Sequence, residues 1–169
     1  MLKLKFPSHD LFAYGRIEKN GTDIVGGVPA FSAYTSSTYD IPTDTYTKAL
    51  FQSEHFDSDS AYDTSTSTFT VPSGKGGKYQ VNAGVSVDDI NDGTYMAVVL
   101  YIDGAQGTGF QRAFVWSPAN DKIVTARMSN VISLNAGQTV NIYVLHTSTG
   151  TQSAENYCNY FSMFKLPGV

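Results

Sequence analysis

The sequence predicts one all-β domain, a sandwich or jelly roll of roughly eight to ten short strands. Three observations predict it. Apolar residues recur at every second position in segment after segment, while helical periodicity is hard to find. Gly, Pro, Asn and Asp clusters punctuate these segments. Charged residues make up only 15% of the chain, against the roughly 25% usual in soluble domains, and Ser, Thr, Asn, Gly and Tyr fill the gap. Hydroxyl and aromatic side chains suit a pleated surface. A chain of 169 residues is about one domain and buries a sizeable core without a disulfide or metal.

The elements follow in order. Leu2, Leu4 and Phe6 alternate with Lys3 and Lys5. Residues 16–25 read as a hairpin around Asn20-Gly21, because both turn residues accept positive φ cheaply. Gly26-Gly27 forms a hinge before Pro29, so we divide the chain into an N-terminal arm, 1–28, and a main domain, 29–169. Strands are predicted at 30–36, 47–52 and 66–71, then at 79–87, where Tyr79, Val81, Ala83, Val85 and Val87 share a face. Residues 95–102 are almost continuously apolar, as in a strand buried on both faces. Further strands are predicted at 110–116, 123–134, 139–146 and 157–166. In the last, Phe161 and Met163 oppose Tyr160, Ser162 and Phe164.

The net charge of -4 and the scattered lysines and arginines argue against nucleic acid, which needs a basic patch. The single cysteine, Cys158, permits no intrachain disulfide and reads as a small buried residue. No apolar run reaches the ~18 residues of a membrane helix. Residues 1–7 lack an apolar core of signal-peptide length, so export by a classical route is not expected.

Six short motifs then occur in a telling order. They are Pro29-Ala30-Phe31-Ser32-Ala33, Phe56-Asp57, Tyr62-Asp63, Phe69-Thr70-Val71-Pro72 with Gly77-Lys78-Tyr79, Leu134 to Val140 with Gly137 between, and Phe161-Ser162-Met163-Phe164-Lys165-Leu166. In this order the main domain resembles the globular head of complement component 1q, a jelly roll of the tumour-necrosis-factor type. Met163 stands where that family usually has Gly, and the arm replaces the family's collagen stalk. The resemblance implies a homotrimer packed around a threefold axis. It also implies ligand binding by loops or side grooves without an active site.

Candidate sites are few. Asp88, Asp89, Asn91 and Asp92, followed by Gly93, form the densest acidic cluster and a candidate ligand loop. Oxygen ligands at short spacing suit calcium, with Asp88, Asp89 and Asp92 as the weak candidates. A solvated turn is the favoured reading, since no Glu closes the loop pattern. His9, His55 and His146 stand in no catalytic spacing and read as surface or capped histidines. Twelve Asp and three Glu single out no carboxylate pair for glycoside hydrolysis. Gly104 to Gly109 lacks the Lys-Ser/Thr of a phosphate loop. Arg112 and Arg127 are strand residues that either cross an interface or face solvent. No catalytic residue and no cofactor is expected.

Leu2, Leu4, Phe6 and Phe12 on the arm are the expected partner-binding residues, docking as an added strand on a neighbouring subunit or another protein. Together these features lead us to expect a trimeric structural protein of a bacteriophage virion, assembled in the host cytoplasm. Its partners would be its own copies and the major capsid protein, which it would decorate through the arm. A receptor-binding tail-fibre tip, using loops 88–93, 104–109 and 147–156, is the alternative.

Overall fold

A computed structural model describes residues 18–19, 22–23, 27–106, 112–119 and 122–167. Among them the chain forms sixteen strands. They are β1 (Glu18–Lys19), β2 (Thr22–Asp23), β3 (Ala30–Tyr34), β4 (Tyr39–Ile41), β5 (Thr47–Lys48), β6 (Ser53–Asp57), β7 (Tyr62–Asp63), β8 (Thr68–Thr70), β9 (Gly77–Ile90), β10 (Tyr95–Ile102), β11 (Ala105–Gln106), β12 (Arg112–Trp116), β13 (Lys122–Leu134), β14 (Thr139–His146), β15 (Gln152–Ala154) and β16 (Tyr160–Lys165).

β1 and β2 pair alone as a small hairpin, Glu18 opposite Asp23. The rest form two seven-stranded antiparallel sheets. One runs β4-β15-β9-β16-β3-β6, with β13 on the far side of β9; the other runs β11-β10-β14-β8-β7, with β12 on β10 and β5 on β14. Sequentially distant strands thus lie side by side, as a jelly roll requires.

The core lies between the sheets. Tyr79, Val81, Ala83, Val85 and Val87 of β9 are all fully buried, as their alternation predicts. Met96, Val98 and Leu100 of β10 meet them from the opposite sheet, beside Val140, Ile142 and Val144 of β14. Aromatic rings fill one end. Phe31 stacks on Tyr62 at 4.4 Å and meets Phe161 edge-on at 4.9 Å. Phe69 packs against Phe31 and Tyr79. Each such ring contributes ~1.5–3 kcal/mol by burial, and the two phenols keep partners. The Tyr62 hydroxyl donates to the Phe51 carbonyl (2.9 Å) and that of Tyr79 to the Lys75 carbonyl (2.7 Å).

Three expectations need correction. His146 is neither a surface nor a strand-capping residue. It shares the core-facing side of β14 with Val144 and is fully buried, its Nε2–H donating to the Ile41 carbonyl (2.7 Å). Cys158 is exposed rather than buried. The last strand starts only at Tyr160, because residues 155–159 loop out, with Cys158 at φ 62°. The loop is held by Asn159, whose Oδ1 accepts the Ser86 N–H (2.6 Å) while its Nδ2 donates to the Glu155 carbonyl (2.6 Å). Finally, the predicted strand at 47–52 is only the two residues of β5, and the chain then crosses to β6 in the other sheet.

Candidate functional site

The surface features gather in three places: one end of the sandwich and the outer face of each sheet. At the end, the turn after β9 meets the turn after β14. Asn91 supplies the clasp. Its Oδ1 accepts from the hydroxyls of Ser148 and Thr149 and from the Thr149 N–H, and its own N–H donates to Ser148 Oγ (2.9 Å). Asp88 Oδ1 accepts the Asp89 N–H, and Asp89 itself sits at φ 53°. The candidate loop is therefore the end of β9, which holds Asp88 and Asp89, followed by an ordered turn in which the Asn91 oxygen is already used. Among the described residues no three His, Cys, Asp or Glu side chains converge to hold a metal ion.

Asp103 forms a second clasp, between β10 and β14. Its Oδ1 accepts the Thr139 N–H (2.8 Å) and its Oδ2 the Gln138 amide (2.7 Å). The Thr139 N–H first, and the Gln138 amide second, hold its carboxyl below the usual range. Asp63 is lowered similarly by the hydroxyls of Ser65 and Thr66 that close the turn after β7. Both carboxylates serve turn geometry.

The outer face of the β10–β14 sheet is aromatic. Tyr101 stacks on Tyr143 at 3.9 Å, with Tyr46 beside it. Tyr95 contacts Phe114 and Trp116 of β12, which are 56% and 65% exposed. Burial first, then the neighbouring Tyr46 and Tyr143, raises the Tyr101 phenol above its ordinary value. Ala97, Val99 and Leu145 form the buried floor beneath these rings. This explains the unbroken apolar run of β10: one face meets the core and the other meets an aromatic layer.

The outer face of the other sheet is mixed. The Tyr160 ring lies over Gly84, where no side chain intervenes. Gln80, Asn82 and Ser129 form a hydrogen-bonded cluster beside it. Phe56, Phe164 and Val131 stand exposed around these polar groups. At the margin, Tyr34 stacks on His55 at 4.6 Å.

Arm residues Leu2, Leu4, Phe6 and Phe12 lie outside the described residues, as do His9 and residues 107–111. The structure therefore brings the 88–93 and 147–150 loops together, and residues 1–17 of the arm lie outside what it describes. Sequence reasoning did not single out the exposed rings of Phe56, Phe114 and Phe164. Alternation alone cannot tell an outward aromatic from an inward one when both faces of a strand carry large side chains.

No protein-family model matches the chain, and no curated protein matches it. Solved structures do. The Eiger tumour-necrosis-factor protein of S. frugiperda superposes with a TM-score of 0.60 at 16% identity, covering 83% of this chain and 93% of that one. The globular domain of zebrafish complement 1qA gives 0.60 at 15% identity, covering 82% and 97%. Murine APRIL gives 0.60 at 14% identity, covering 82% and 99%. At such identities the likeness establishes the fold, a jelly roll of the complement-1q and tumour-necrosis-factor type.

Proposed function

We propose that this chain is a non-enzymatic assembly protein that works as a homotrimer, its subunits side by side around a threefold axis. One observation carries the reading. The sandwich interior is filled by side chains, while Phe114 and Trp116 on one sheet and Phe56, Phe164 and Val131 on the other are spent on the outside. Exposed rings rimmed by polar groups are the composition of subunit contacts. The resemblance of the six ordered motifs to the complement-1q head supports the trimer.

We assign the assembly to a bacteriophage virion, with the chain as a capsid decoration protein. The support is the alternating Leu2, Leu4 and Phe6 on an arm ahead of the main domain. Three arms on one trimer would act together, since linking sites raises effective concentration and multiplies affinity. A chain lacking residues 1–27 is expected to fold and trimerise but to lose particle binding in a co-sedimentation assay. Undiminished binding would overturn the arm's role. The second reading, a tail-fibre tip, draws on the clasped loops 88–93 and 147–150, a rigid platform at one end of the sandwich. It predicts binding to host cells that soluble glycan blocks.

A further inference from the structure

β6 closes its sheet: the strand order ends there, and among the described residues no strand pairs with the edge turned away from β3. An exposed strand edge is a template for another strand, and proteins normally cover or blunt it. β6 is blunted only in part, by a register shift opposite Ser32 and Ala33 and by its acidic side chains. It is five residues long, and Glu54, His55 and Phe56 are all exposed.

Its two faces differ. Phe56 pairs with Ser32 on the outer side and is 53% exposed. Glu54 and Asp57 pair with Ala33 and Phe31, which point to the core, so both carboxylates lie along the inner rim; Glu54 is exposed there, while Asp57 also accepts the Asp59 and Tyr62 N–H groups. Asp59 and Asp63 follow. Residues 49–74 contain these four acids and no lysine or arginine. The edge therefore asks for a strand that is apolar on one face and basic on the other.

We infer that residues 2–6 of this chain, Leu-Lys-Leu-Lys-Phe, are that strand and cover the β6 edge. Leu2, Leu4 and Phe6 fall on the side of Phe56, and Lys3 and Lys5 on the side of Glu54 and Asp57. Residues 1–9 contain two lysines and no acid. The point where the arm leaves the domain fits as well. The Val28 carbonyl accepts from Ser58 Oγ, which also accepts the Ala30 N–H, so the arm's root sits at the C-terminal end of β6. Twenty residues separate Phe6 from Gly27; 18–23 double back as the β1–β2 hairpin, and the rest, at ~3.3 Å each, still reach further than the five-residue strand is long. Strand addition of this kind draws affinity from main-chain hydrogen bonds and specificity from alternate side chains. The inference goes beyond particle attachment and does not depend on it. It identifies a surface of the domain that holds the arm when no particle is present.

Hydrogen exchange on the full chain tests it. Replacing Leu2→Ser, Leu4→Ser and Phe6→Ser together should speed exchange of the 53–57 amides at least tenfold and leave β4, the opposite end of the sheet, unchanged. Lys3→Glu with Lys5→Glu should act in the same direction, and salt should weaken the wild-type protection. In a Cys158→Ser background, Leu4→Cys should form a disulfide with Phe56→Cys at least ten times faster than with Asp40→Cys on β4. A bond within one chain or between two copies equally places the segment on β6, and gel mobility tells which copy donates it. Unchanged exchange at 53–57, or equal trapping at Asp40→Cys, would overturn the inference. Particle binding is read separately, so its failure and this one are distinguishable.

Discussion

Replacing Gly84 by alanine tests the seating of β16 on β9. Gly84 lies within β9, paired with Tyr160 on one side and Arg127 on the other. A Cβ added there would stand 2.6 Å from Tyr160 Cε1 and 3.1 Å from Cζ. A normal carbon contact is roughly 3.5 Å, so the ring must retreat by about 1 Å. Overpacking of this kind costs ~1–3 kcal/mol. Removing a strand glycine recovers ~0.5–1 kcal/mol of chain entropy. At the middle of these ranges the net loss expected for Gly84→Ala is about 1 kcal/mol, or about 2–4 °C in Tm for a chain of this size. The Tyr160→Ala background should abolish the penalty, leaving a coupling of about 1 kcal/mol or more in a double-mutant cycle. Denaturant and thermal unfolding measure both. Gly84→Ala at wild-type stability, with additive effects in the cycle, would refute the reasoning. It would mean that the ring does not lie over Gly84, and a one-residue slip of β16 would place its side chains on opposite faces.

Other expectations follow from single groups. Asn159→Ala should lower stability by about 1–3 kcal/mol, because the Ser86 N–H is left buried without an acceptor; a loss under about 0.5 kcal/mol would contradict that role. Alkaline pH should also destabilise the fold. Burial is the main cause that pushes the phenol of Tyr79 up to about 12, and it raises Tyr39 and Tyr62 as well. The unfolded chain sheds these protons near pH 10 while the folded one keeps them. Stability is therefore fully present below pH 10 and falls as pH rises from there through the folded values. The slope is about 1.4 kcal/mol per pH unit for each phenol so held. Urea midpoints between pH 9 and 11.5 should fall with pH. A flat profile would place those phenols in water.

Much of the fold was legible because strand and turn chemistry coincide. The alternation from Tyr79 to Val87 and the Asn135-Ala136-Gly137 turn before β14 bracket elements found where expected. What was not legible depends on partners distant in sequence. β4, β7 and β15 have two or three residues each, too few for a period, and exist because β15, β8 and β9 in turn offer them an edge. Ser53–Asp57 shows no apolar alternation, since an edge strand need bury nothing; its pairing comes from β3. His146 was misplaced because its ring is accepted inside by one carbonyl, that of Ile41, 105 residues away. The outer faces were the hardest to foresee. Trp116 and Phe114 look like core residues until β10 and β14 are seen to have filled the interior.

The native mass of the purified protein, by light scattering across a concentration series, tests the assembly reading most directly. The account predicts a value near three times 18.3 kDa. A mass of one chain at every concentration would contradict it.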